Sequence, residues 1–240
     1  PSGAAASETA RASVGAYYRA AMTDVPLEQR EREELCDLFL ELGPDAPTLC
    51  EGWTTADLAA HLVVRERDPR ASLGILMPDR FGERTERLMA VQKAKGYEQL
   101  VARVRSGPPR FPWRVPKLRT LLNLNEYVVH HEDVRRANGM GPRTDRPDLD
   151  GEVWSMLRRG AKMMTRKVKG TGLVLRRADA RISSDEIVAR KAADGEATAT
   201  LTGAPVDLLL YLFGRHGAAQ VELTGPPEAV AAVEQAKFGI

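Results

Sequence analysis

Residues Asn123–Arg136 read NLNEYVVHHEDVRR, with a carboxylate at Glu126 and an imidazole at His130 inside an otherwise apolar helical run. Positions i and i+4 of an α-helix lie on one face a turn apart, so both side chains can reach one point. Leu122, Glu126, Val129, His130 and Asp133 share that face, which turns toward a core. A carboxylate there needs a cation, a proton or a donor, because burying an unpaired charge is expensive. The helix is predicted from about Lys117 to Ala137, closed by Gly139 and Gly141-Pro142.

Upstream, Leu49–Arg65 reads LCEGWTTADLAAHLVVR. Thr54 with Asp57 three residues on forms a capping box in which Asp replaces Glu. Leu58, His61, Leu62 and Arg65 then follow helical spacing, which sets His61 in the buried stripe. His61 with Glu126 and His130 makes a three-ligand divalent-metal site with an open coordination position, assembled from two helices of a bundle. On spacing alone, a buried Glu–His hydrogen-bond pair competes with it. The mixed set suits Zn²⁺, with Ni²⁺, Co²⁺, Mn²⁺ or Fe²⁺ possible. Asp133 and Asp57 stand where each can orient a ligand imidazole, or serve as a helix-face charge and a cap. His131 points about 100° away around the helix and is expected to be a partly exposed, weaker ligand. Glu132 and Asp133 with Arg135 and Arg136 read as a solvated salt-bridge face. Trp53 reads as a packing anchor. Cys50 is close enough to the His61 helix to approach a metal, and reads more simply as a small buried residue.

Around these segments the chain divides in two. A first helix is expected over 24–42, with Asp24 as cap, Pro26 in the first turn and Gly43-Pro44 as the stop. Residues 69–80 read as loop or short helices. Glu83–Arg105 is helical with a break near Gly96, and the prolines of 107–116 make an irregular connection. The fold class is therefore α+β, mainly α. A metal-binding four-helix bundle over 22–145 is followed by a small α+β domain over 146–240. The second part is expected to hold a helix over Glu152–Lys169, strands at Leu173–Arg177, Ile187–Arg190, Ala197–Leu201 and Gln220–Leu223, and helices at Val206–Phe213 and Pro227–Ala236. Residues 1–21 read as an upstream extension or a disordered tail, with Met22 the natural start.

The 240 residues are 43% hydrophobic and 28% charged with a net charge of +2, and the pI is near 8.7. That balance argues against nucleic-acid binding. Two acid-free basic stretches, Gln99–Asn125 and Val153–Ala178, read as solvated faces or the lining of an anionic-ligand cleft. Cys36 and Cys50 make no disulfide framework, which suits a reduced cytoplasmic setting. No apolar run has membrane-spanning length. Phosphate-binding glycine loop, serine elbow and H-E-x-x-H motif are all missing. A small-molecule substrate, with an anionic one suited to the basic stretches, and a monomer or homodimer are expected.

Leu49–Arg65 resembles the start of the mycothiol-dependent maleylpyruvate isomerase N-terminal family, within the DinB-like metal-binding bundles. Asn123–Arg136 resembles that family's E-x3-H ligand helix. Gly203–Arg215, GAPVDLLLYLFGR, resembles its second-domain G-x-x-x-D-L-L-L-x-L-x-G-R signature. The resemblance spans nearly all of residues 23–240, and an actinobacterial subgroup named only as metal-binding proteins shares the pattern. It implies His61, Glu126 and His130 as ligands, with water completing the coordination. It also implies a metal-held low-molecular-weight thiol, mycothiol, whose thiolate adds to an electrophilic substrate in an isomerase or S-transferase reaction. The resemblance places Arg215 near the substrate, where its guanidinium suits a carboxylate. The competing role is a helix C-terminal cation on the last carbonyls. Two further functions stay open: a hydrolase using metal-bound hydroxide, and a non-catalytic metal-binding regulator.

Overall fold

The computed structural model describes residues 25–68, 78–108, 116–178 and 185–239. The expectations for residues 1–21, for Asp24 as a cap and for the loop over 69–77 fall outside them, as does the placement of the Leu122 side chain.

Helix α1, Leu27–Leu42, begins with Pro26 at its cap position and no side-chain cap, a few residues later than the sequence suggests. Gly43 stops it at a φ of 81°, a left-handed conformation that glycine adopts without a Cβ penalty. Helix α2, Thr55–Arg67, has the predicted capping box: Asp57 N–H donates to Thr54, and Thr54 N–H donates to the Asp57 carboxylate. Helices α3, Pro78–Lys93, and α4, Tyr97–Arg105, are separated at Gly96, whose φ is 92°. Helix α5, Pro116–Ala137, follows. Among the described residues, the helix expected over Glu83–Arg105 is thus divided in two by the Gly96 break.

Leu35, Phe39, Leu58, Leu62, Leu100 and Tyr127 fill the core of this bundle. Arg32 of α1 is buried within it. Its guanidinium donates to both Glu66 oxygens at 2.7 and 2.6 Å, to the Tyr127 hydroxyl at 2.6 Å, to the Val104 carbonyl at 2.9 Å and to Glu28 at 2.5 Å. One side chain therefore ties α1, α2, α4 and α5 together.

Helix α6, Pro147–Met164, opens the second unit one turn earlier than the predicted Glu152 start. Proline is suited to that first turn, where its missing N–H costs nothing, and Asp148 and Asp150 complement the helix dipole. The helix ends before the predicted Lys169, and Val168 is buried just beyond it. Strands β1, Gly172–Arg177, β2, Glu186–Arg190, β3, Thr198–Gly203, and β4, Val221–Thr224, form one sheet in the order β2-β1-β3-β4. β1 runs parallel to β3, and the other two pairings are antiparallel. Leu173 pairs with Ala199 and Leu175 with Leu201, so their side chains share the buried face. Helix α7, Pro205–Leu212, packs on α6 and the sheet, and α8, Pro227–Glu234, closes it. Tyr127 and Val134 of α5 belong to the helical core, whereas Leu124, Val128 and Val129 belong to the core of the sheet unit. Helix α5 is thus shared by both.

The polar end of α5 is a buried ionic layer, not the solvated face its charges suggest. Glu132 and Asp133 are fully buried and His131 is 3% exposed. His131 Nδ1 lies 3.0 Å from Glu31 of α1. Arg143 donates to Glu31 and Glu132, and Arg146 to Glu31 and Glu34. Arg136 reaches Glu132 at 2.6 Å and Asp207 of α7 at 3.1 Å. Cations arriving from the connection to α6 offset the desolvation of these carboxylates, and one helix's periodicity cannot reveal them.

Burial alone would raise the Glu31 carboxyl, yet His131, Arg143 and Arg146 pull it from its ordinary 4.5 down to about 2. The folded value is the depressed one, so Glu31 stabilises the fold above about pH 4.5 and loses that contribution as pH falls toward 2. The shift corresponds to on the order of 3 kcal/mol. Glu31→Gln is expected to be less stable than wild type at pH 7, with the two stabilities converging toward pH 2. Urea unfolding across that range checks this, and parallel pH curves would contradict it.

Candidate metal centre

His61 projects from α2, and Glu126 and His130 from α5, into one point between the helices. Glu126 Oε2 lies 3.9 Å from His61 Nε2 and 3.4 Å from His130 Nε2. All three donor atoms fall within 4.8 Å of one another. Two ligands about 2.1 Å from a tetrahedral zinc are roughly 3.4 Å apart, so small side-chain movements suffice to close on an ion. His61 Nε2 is buried without a hydrogen-bond partner. A buried imidazole nitrogen with no hydrogen-bond partner, set beside a carboxylate, suits a metal ligand. The residues fit a divalent metal. Among the described residues no fourth His, Cys, Asp or Glu donor joins the three.

Burial holds the His61 imidazole below its ordinary value, and so neutral. Burial would raise Glu126, but His130, His61 and Arg65 outweigh it and keep the carboxylate ionised. Arg65 Nε lies 3.3 Å from Glu126 Oε2 and partly balances its charge. His130 is pulled above its ordinary value because Asp133, Cys50 and Glu126 overcome its burial.

Asp133 Oδ2 lies 2.9 Å from His130 Nδ1. That contact turns Nε2 toward Glu126. Asp57 does not orient His61. Its carboxylate is taken by Thr54 in the capping box and by Lys93 at 2.6 Å. Trp53 packs on the helical core and also lies tilted against the His61 ring, 5.1 Å between centroids.

The structure brings two more groups to this point. Cys50 is half-buried beside the centre, its Sγ 3.3 Å from Asp133 Oδ2 and 4.0 Å from His130 Nδ1. It thus stands on the Nδ1 side of His130, away from the three converging donors. Arg215, just past α7, donates to the Phe213 carbonyl at 2.8 Å, as expected of a C-terminal cation. It also grips Asp133 through Nε at 2.9 Å and Nη2 at 2.7 Å.

His61, Glu126 and His130 open onto a cavity of about 1080 Å³ between the two units. Trp53 and Cys50 line the bundle side, and Phe213, His216 and Gln220 line the opposite wall. His216 stacks on Tyr211 at 4.2 Å, and burial lowers its basicity. Sequence reasoning missed His216 and took Gln220 only as the start of a strand; both meet the site through packing. A second cluster, Glu31, Glu34 and His131, has metal-like spacing, but Arg143 and Arg146 already neutralise it.

Residues 25–119 match the family model of the mycothiol maleylpyruvate isomerase N-terminal domain. The likeness to that family is confined to this segment. The matched isomerase-type segment holds His61 and stops before Glu126 and His130, so the convergence of all three is an independent observation. No curated protein and no solved structure matches the chain. Among the described residues, no helix is long and apolar enough to cross a membrane.

Proposed function

We propose that His61, Glu126 and His130 hold one divalent metal ion, zinc in the first instance. The cavity before it takes a low-molecular-weight thiol, mycothiol, and a small electrophilic substrate, as an isomerase or S-transferase does. The observation that carries this reading is the convergence of three donors on the cavity wall, with the Nε2 of buried His61 unpartnered. A bound metal supplies Lewis acidity that favours the thiolate of a thiol ligand at neutral pH. The protein supplies the rest. Glu126 contributes the charge that offsets the cation, Asp133 fixes His130, and Trp53 and Phe213 give the cavity apolar wall. The lack of a fourth protein donor among the described residues favours open coordination, and so chemistry, over a purely structural ion. The thiol in particular rests on the family of residues 25–119. The bundle, ending near residue 145, provides the ligands, and the following unit provides the opposite wall.

The runner-up is metal-dependent hydrolysis, favoured by His216. Its imidazole lines the cavity, and burial keeps it neutral and able to accept a proton.

The test is metal content by mass spectrometry on purified protein, followed by calorimetry with mycothiol on metal-loaded and metal-free samples. One equivalent of metal, with thiol binding confined to the loaded form, is the expected result. Metal without thiol binding would move the assignment to hydrolysis or regulation. Protein that takes up no metal would reduce the constellation to a buried polar network.

A further inference from the structure

We propose that Arg215 is a positioning residue for the metal centre: it acts through Asp133 on His130, so the C-terminal unit completes a ligand set carried entirely by the bundle. This rests on the metal assignment above and adds to it how the site is held.

Three contacts form a chain. Arg215 donates from Nε to Asp133 Oδ1 at 2.9 Å and from Nη2 to Oδ2 at 2.7 Å. Asp133, fully buried, accepts from His130 Nδ1 at 2.9 Å. His130 then presents Nε2 to Glu126 at 3.4 Å. The planar fork of a guanidinium matches a carboxylate through two parallel N–H bonds and fixes its plane as well as its charge.

This geometry differs from that of a substrate clamp. The Nε–Nη2 edge is spent on Asp133, and Nη1 of the other edge on the Phe213 carbonyl. A substrate carboxylate would have to displace an internal one. Without Arg215, the Asp133 carboxylate would sit buried against an imidazole and a thiol alone. It would then tend to share a proton or turn away, and His130 would lose the acceptor that sets its tautomer. Arg215 lies in the segment after α7 whose Phe213, His216 and Ala218 face the ligands across the cavity. Docking of this segment and metal affinity are therefore linked, and the linkage is reciprocal.

The experiment measures zinc affinity by competition with a chromophoric chelator for wild type, Arg215→Gln, Arg215→Lys, Asp133→Asn and the Arg215→Gln/Asp133→Asn pair. Thermal unfolding of each metal-free form is followed in parallel. Loss of a group supporting a metal ligand typically weakens affinity about 10–100-fold. Arg215→Gln is expected to fall in that range. Arg215→Lys, which keeps the charge and loses the fork, should fall between it and wild type, and it reports on the relay even if the Gln variant folds poorly. Because both residues act on one imidazole, the double variant should bind zinc no more weakly than Asp133→Asn alone. A merely structural Arg215 would lower melting temperature without this non-additivity. Unchanged zinc affinity in Arg215→Gln and Arg215→Lys, or losses that multiply in the double variant, would overturn the proposal. Wild-type protein that binds no zinc would remove the metal centre itself, an outcome visible before any variant is compared.

Discussion

Glu126→Gln is expected to weaken zinc binding by more than roughly 100-fold, beyond what losing a supporting residue costs. The substitution keeps size and shape, so the bundle is retained. It removes the only anionic donor among the three, leaving two imidazoles to hold a dication. At a free zinc concentration 100 times the wild-type Kd, binding stabilises the wild-type fold by about 2.7 kcal/mol. For a chain of this size that is a rise in melting temperature of roughly 5–10 °C. At the same concentration the variant sits at or below half-saturation and gains at most about 0.4 kcal/mol, roughly 1 °C. Scanning calorimetry with and without zinc reads both numbers in one experiment. An equal rise in both proteins would place the ion elsewhere.

Arg32→Met is expected to destabilise the protein by about 3–5 kcal/mol, the usual result of removing one partner from a buried ion pair. The guanidinium and the Glu66 carboxylate are almost wholly inaccessible, at 3% and 2% side-chain exposure. Met fills much of the volume but donates nothing. Glu66 would keep only the hydroxyl of Tyr127 at 3.0 Å and the amide of Asn123 at 3.3 Å. The consequence reaches the metal centre, because Glu66 lies on α2 with His61 and Tyr127 lies next to Glu126 on α5. A network that fixes the spacing of α2 and α5 also fixes the distance between the ligands. Denaturant unfolding of the metal-free protein measures the loss. A change below about 1 kcal/mol would mean that water reaches the carboxylates when Arg32 is gone.

Much of this was legible in the residues. The capping box at Thr54 and Asp57, the break at Gly96 and the i, i+4 pairing of Glu126 with His130 are local events. Backbone geometry and near neighbours decide them, so spacing suffices. The strands of the sheet were placed within a residue or two, because alternation and turn residues are local as well. Periodicity starts helix α6 at Glu152, about a turn late, because Pro147 at its first turn carries no periodic signal. The errors at the candidate site have a different origin. Periodicity assigned His61 to the buried stripe, yet it could not say that Asp57 would be claimed by Lys93, 36 residues away. It assigned His131 and Glu132 to water, where Arg143, Glu31 and Arg136 in fact bury them.

The sequence by itself determined the mainly helical α+β class, the helices that carry the three donors and the direction each donor faces. These follow from the period of the helix and from short-range hydrogen bonds. Only the tertiary structure decided that the donors meet, that Cys50 and Arg215 converge on Asp133, and that the loop after α7 walls the cavity. Those contacts join residues as far as 165 positions apart. Their energies depend on which charges lose water together, a property of the packed chain that no single segment holds.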